Sequence, residues 1–346
     1  MNVKSIVSLL WKSLLGLVAV CLAACSAPAD ATHQVEIGMS VQLINDSQAT
    51  VDREFDLMSS MHTTWVRADF DWSAVEGQRG QYNWAYADRL AAATRKRGMK
   101  ILAVLAYTPS WARPAGTNTH YPPSDFSNFA RFASAAAARF GPDQVGAWEI
   151  WNEQNLAQFW QPLPNASRYS SLFRQTASAI RQARPGAVVL TGGLSPGSDL
   201  PGGVRVSQRS FVQQLYANGA AQAASGVAIH PYSFPRLPTD GSAGEGSFAD
   251  LPSIHSLMDS NGDGSKRIWL TEFGAPTGTG AVAVSEDAQK AAILDARSQA
   301  AQWDWTGPLV YYELRDSGTN AAELEQNFGV VRFDFTPKPA GQALMQ

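Results

Sequence analysis

The chain has 346 residues; 45% are hydrophobic and 16% charged, with 27 Lys and Arg against 30 Asp and Glu. This supports a sizeable buried core in one large domain or two small ones, and excludes both a basic nucleic-acid-binding face and a polyacidic disordered tail. Both cysteines, Cys21 and Cys25, fall in the first 25 residues, which excludes a disulfide framework and a thiolate metal site in the folded body.

Lys4 and Lys12 precede or frame an apolar run over 14–24. The run is shorter than the ~20 residues of a membrane-spanning helix and reads as the centre of a secretory signal. Leu22-Ala23-Ala24-Cys25 resembles the lipobox of bacterial lipoproteins. That resemblance implies a signal peptide over 1–24, lipidation of Cys25 and a short tether over 25–34. One acyl chain alone anchors weakly, so a stable anchor needs more than one.

From residue 35 on, short apolar runs alternate with amphipathic stretches. Strands are predicted at 35–41, 64–70, 100–107, 146–151, 187–191, 227–230, 267–271 and 308–312. Helices are predicted at 52–61, 85–98, 125–140, 166–184, 209–218, 251–258, 286–303 and 340–345. The run Lys100–Tyr107 is continuously apolar after its first residue, as in a strand buried on both faces. Asp125 is placed to cap a helix, and Gly141-Pro142 to end it. Eight strand–helix units predict an α/β single domain over 35–346, a (β/α)₈ TIM barrel. An open doubly wound sheet is the alternative, but Met39-Ser40-Val41-Gln42 offers no Gly-rich phosphate loop after the first strand. Long loops at 192–205 and 235–248 would both stand on the active face of a barrel.

In a barrel the strand C-termini converge, so polar residues just past them meet. Here they are Arg67, Asn152 and Glu153, His230 and Tyr232, Glu272, and Glu313. Glu153 follows Trp151-Asn152, and Glu272 lies between Leu270-Thr271 and Phe273. Carboxylates in such apolar company are paired or used, because burying one alone is costly. Two carboxylates on one face suit glycoside hydrolysis, where one protonates the leaving oxygen and the other attacks the anomeric carbon or activates water.

These residues carry a family resemblance. Trp148-Glu149-Ile150-Trp151-Asn152-Glu153-Gln154-Asn155-Leu156, with Phe159-Trp160, resembles the acid/base segment of clan A glycoside hydrolases, most of all family 39. Trp269-Leu270-Thr271-Glu272-Phe273-Gly274 resembles the nucleophile segment. Val66-Arg67-Ala68-Asp69, Tyr107-Thr108-Pro109-Ser110-Trp111, His230-Pro231-Tyr232 and Asn327-Phe328-Gly329-Val330 follow the same order, so the match runs over about 35–345. It also extends to family 5-like bacterial exopolysaccharide endoglycosidases. The resemblance implies a retaining double displacement with Glu153 as acid/base and Glu272 as nucleophile. It implies that Asn152 binds the sugar 2-hydroxyl, and that Arg67 and Tyr232 hold Glu272 ionised. Trp111, Trp151 and Trp160 would be stacking walls, with His230 and Glu313 as further substrate contacts. Two departures stand out: Gln154 where many relatives have Pro, and Tyr311-Tyr312 where many have the Trp that floors the sugar subsite.

Plainer readings exist for several of these. Arg67 suits a core ion pair with Asp69 or Glu272, His230 a hydrogen-bonded strand end, and Glu313 a place behind the site. Trp65, Trp269 and Trp303 suit core packing. Asp259-Ser260-Asn261-Gly262-Asp263-Gly264 matches half of a calcium loop, but the twelfth position is Leu270, so it reads as a polar turn. The five histidines show no metal spacing and no Gly-x-Ser-x-Gly elbow occurs, so neither a metal nor a cofactor is expected. The expectation is a lipid-anchored glycosidase of the bacterial cell envelope, facing the periplasm or exterior. Its partners would be a β-linked poly- or oligosaccharide, cut internally, and the membrane holding the anchor, with no nucleic acid. The rival is a carbohydrate-binding envelope lipoprotein on the same barrel that has lost catalysis.

Overall fold

The computed structural model describes residues 34–346. The expected signal segment, Cys25 and the tether up to residue 33 lie outside the described residues. No described helix is long and apolar enough to cross a membrane.

Eight parallel strands pair in chain order and close on themselves: β1 Ile37–Ser40, β2 Trp65–Asp71, β3 Lys100–Ala106, β4 Val145–Asn152, β5 Val189–Gly193, β6 Gly226–Ile229, β7 Arg267–Phe273 and β8 Thr306–Tyr311. This closure excludes the open-sheet alternative. The main helices between them are α1 Gln48–Ser60, α2 Trp72–Val75, α3 Ala85–Lys96, α4 Phe126–Arg139, α5 Ala166–Ala183, α6 Gln208–Ala217, α7 Ala220–Ala223, α8 Leu251–Ser260 and α9 Glu286–Ala300, with α10 Pro339–Leu344 last. The predicted strands all occur. Helix α1 starts four residues earlier than its apolar pattern suggests, because the Ser47 hydroxyl accepts from Thr50 N and nucleates the first turn. Asp125 caps α4 as expected.

The strands read as unbroken apolar runs because helices cover one face and the barrel interior the other. The main core lies between strands and helices. A second, smaller core fills the N-terminal end of the barrel with Trp65, Leu102, Ala147, Leu190, Ala228, Trp269 and Val310, one from each strand β2 to β8. The Trp65 and Trp269 rings meet edge to face at 5.2 Å. They fit because Gly146, Gly226 and Gly307 face them, where any Cβ would press on an indole. Both tryptophans thus serve packing, and the barrel is closed at its base.

Candidate active site

The site is built on a buried ion network at the C-terminal end of the barrel. Arg67 points inward from β2 and is 4% exposed. Its Nε donates to Glu149 Oε2 at 2.9 Å and Nη2 to Glu149 Oε1 at 3.3 Å. The same Nη2 donates to Asn152 Oδ1 at 2.8 Å, and Nη1 to Glu272 Oε1 at 2.5 Å. Glu149 Oε1 also accepts from Gly193 N at 2.7 Å and Thr271 Oγ1 at 3.2 Å. Burial works against the Arg67 charge, but Glu149 and Glu272 outweigh it and hold the guanidinium protonated well above its usual range. Arg67 is therefore a core ion pair and a cleft-lining residue together, and its core partner is Glu149 rather than Asp69.

Glu272 ends up ionised for named reasons. Burial raises its pKa, but His230, Arg67 and the hydrogen bonds from Tyr232 and Arg67 reverse that and bring it below the usual value. Tyr232 Oη donates to Glu272 Oε2 at 2.8 Å. His230 Nδ1 lies 3.1 Å from Glu153 Oε1 and 3.4 Å from Glu272 Oε2, so one ring stands between the two carboxylates. It reaches that place because Gly193 on β5 has no side chain: a Cβ there would overlap the imidazole and the Thr271 hydroxyl. His230 is fully buried and outside the cleft lining. The expected sugar contact is thus corrected to a bridge between glutamates.

Around Glu153 the backbone is unusual. Trp151 and Glu153 have φ of 73° and 47°, left-handed values that non-glycine residues seldom hold. Such conformations cost about 1–3 kcal/mol each and need support from the surroundings. Glu153 N is fixed by Gly193 O at 2.9 Å. The break in alternation sends Trp151 outward, against Phe129 and Trp160, and turns Asn152 inward to Arg67. With Oδ1 taken by Arg67, the Asn152 amide nitrogen is left as a donor for the cleft. Trp151 and Trp160 are wholly buried, the Trp151 indole N–H donating to Phe159 O. Trp111 packs on Trp72, and its N–H donates to Glu76 O. None of the three tryptophans lines the cleft. The aromatic walls come from Tyr107, Phe159, Phe234, Tyr312 and Phe328 instead, around a cavity of about 680 Å³.

At the end of β8 the two tyrosines part. Tyr311 is buried with its hydroxyl on Ile293 O, while Tyr312 lines the cleft. Glu313 is 3% exposed and lies outside the cleft lining. Its Oε2 is 3.5 Å from Gln42 Nε2, and its Oε1 has no partner. Burial, with Asp316, Glu54 and Glu325 nearby, pushes its pKa up to about 8. Its expected sugar contact is corrected to a place behind the cleft wall.

One oxygen each of Glu153 and Glu272 and a ring nitrogen of His230 lie within 4.8 Å of one another. These donors come from three strands, so no spacing in the sequence reveals them. As a cation site they are opposed by Arg67, whose guanidinium already occupies Glu272.

Residues 45–154 match a family model, glycoside hydrolase family 42, described as beta-galactosidase; the match includes Arg67 and Glu153 and stops before Glu272. The fold is similar to a family 39 glycoside hydrolase from the gut symbiont Bacteroides cellulosilyticus WH2, at 25% identity and a TM-score of 0.74, covering 91% of this chain and 63% of that one. The chain is a glycoside hydrolase-like (β/α)₈ barrel. It also resembles a monomeric beta-xylosidase from Caulobacter crescentus CB15 (19% identity, TM-score 0.68, 91% and 68% covered). A further likeness is to GH5_18 from Streptomyces cattleya in complex with GlcNAc (18% identity, TM-score 0.65, 91% and 79% covered). The barrel spans under two thirds of the length of the family 39 structure.

Proposed function

We propose that this barrel is a retaining glycoside hydrolase that cuts within a β-linked polysaccharide. The observation that carries the reading is the pair Glu153 and Glu272, whose oxygens approach within 4.8 Å. Retaining enzymes place their carboxyl groups about 5–5.5 Å apart and inverting ones about 6.5–9.5 Å. The unequal surroundings support unequal roles. Glu272, kept charged by Arg67 and Tyr232, attacks the anomeric carbon and forms a glycosyl-enzyme. Glu153, half-buried and in contact with no fixed cation, protonates the departing oxygen and then deprotonates the incoming water. Asn152 donates its amide to the sugar 2-hydroxyl, and the aromatic walls stack on ring faces.

A lipid anchor at Cys25 would hold the enzyme in the bacterial envelope, within reach of extracytoplasmic glycans. The aromatic-lined cleft, with ring faces spread around its mouth, is the feature that supports internal cleavage. The test is proton NMR of the first product from a panel of aryl β-glycosides and β-glycans. Retention of the anomeric configuration is expected. Inversion sinks the double displacement, and binding without turnover across the panel favours the carbohydrate-binding alternative.

A further inference from the structure

We infer that the glycan this cleft binds carries free amino groups, and that uronic-acid glycans are rejected. The cleft is lined by five carboxylates, Asp69, Asp71, Glu153, Glu272 and Glu325, against one cation, Arg67. That cation is already committed, shared between Glu149 and Glu272. Arg67 pairs with Glu149 and Glu272, the His230 ring lies against Glu153 and Glu272, and no side-chain cation among the described residues pairs with Asp69, Asp71 or Glu325. Asp69 and Glu325 are exposed, and Asp71 half-buried, with one oxygen capping α2 through Ser73.

These three acids are not scattered. Asp69 and Asp71 belong to β2, and Glu325 to the loop after β8; the barrel order puts β1 between those strands. They therefore flank one sector of the mouth, with Gln42 of the β1 loop also on its lining. Glu153, just past β4, stands in a different sector. Asp69 opens onto the cleft but is hemmed in by protein atoms: that loss of surrounding water, and to a lesser degree Asp71, Glu272 and Glu149, outweigh Arg67 and push it up to about 6. Glu325, at the rim, is raised by partial loss of water and by Glu272 and Glu153, against a hydrogen bond from Tyr312 that lowers it. An ammonium group entering this sector relieves that repulsion, whereas a sugar carboxylate adds to it with no cation to meet it. Discrimination by repulsion of the wrong charge needs no contact specific to one sugar.

The inference rests on the glycosidase reading for what is cut, but not for what is bound. The test uses the full chain and three oligomer sets: fully deacetylated glucosamine oligomers, the same oligomers N-acetylated, and oligogalacturonate. Binding is followed by titration calorimetry at low and high salt. The amine-bearing set is expected to bind best and to weaken several-fold with salt. Asp69→Asn and Glu325→Gln should each lower its affinity about two- to fivefold, with the thermal melt unchanged. Equal binding of the N-acetylated set, binding of the uronate, or no binding of the amine-bearing set overturns the inference. Salt-sensitive binding of the amine-bearing set with no release of reducing ends leaves it standing and counts against the hydrolase. Hydrolysis of neutral glycans with no preference for amines does the reverse.

Discussion

Glu272 and Glu313 stand at the ends of neighbouring strands, both nearly out of reach of solvent, yet their affinities for a proton are pushed in opposite directions. Glu272 meets a guanidinium at 2.5 Å and a phenol at 2.8 Å and is held below the usual carboxylate range. Glu313 meets only an amide at 3.5 Å, keeps one oxygen unpartnered and is pushed up to about 8, so it is neutral at pH 7. Burial alone therefore does not decide whether a carboxylate is charged. The partners carried by β2 and by the segment just past β6 do, and they are set by barrel closure rather than by anything near position 272 in the chain.

The largest break in this contrast is Glu272→Gln, which keeps the shape and removes the charge. It should reduce turnover by roughly 10⁴-fold or more with the thermal melt preserved; an undiminished rate refutes the assignment. Glu153→Gln should lower rates about 10²–10⁴-fold on substrates with poor leaving groups and far less on activated aryl glycosides. Equal loss on both would show that Glu153 is not the proton donor. Arg67→Met makes the end of β7 resemble the end of β8. It leaves Glu149 buried without its cation, a loss of about 3–5 kcal/mol measurable by urea unfolding. In the fraction that folds, the acid limb of kcat/KM should move to higher pH, because Glu272 loses a charge that favours its ionised form. Tyr232→Phe removes one hydrogen bond and should slow turnover about three- to tenfold, with a smaller upward move of the same limb.

The smallest effect is expected at Glu313. Its folded pKa lies above its unfolded value, so between about pH 4.5 and 8 the folded state binds more protons and stability falls as pH rises. Glu313→Gln removes that dependence. It should raise the melting temperature relative to the parent at pH 8, on the order of 2 °C, and less at pH 5. A gain larger at pH 5 than at pH 8 would contradict the assigned protonation.

The strand order was legible because strands covered on both faces leave continuous apolar runs, and the glutamates because both sit just past such runs. Glu149 was not singled out, although it anchors Arg67. Its signal was a charged residue at an inward position of an apolar strand, but its partner on β2 depends on the register around the barrel. The family resemblance puts Trp151 in the cleft, and the left-handed backbone that turns it outward leaves no mark in the letters. The aromatic walls include Phe234 and Phe328, which come from loops after β6 and β8 whose paths sequence pattern does not fix. The assignment of Trp65 and Trp269 to packing agrees with their place at the barrel base.

That indole-filled base has a consequence for traffic. With the barrel closed below, everything that would be exchanged at Glu153 and Glu272 in the proposed reaction shares the mouth above them. In a double displacement the severed chain must vacate the space beside Glu153 before water can take its place. Product departure and water entry thus become successive uses of one doorway, and a long glycan that lingers there would prolong the life of the glycosyl-enzyme.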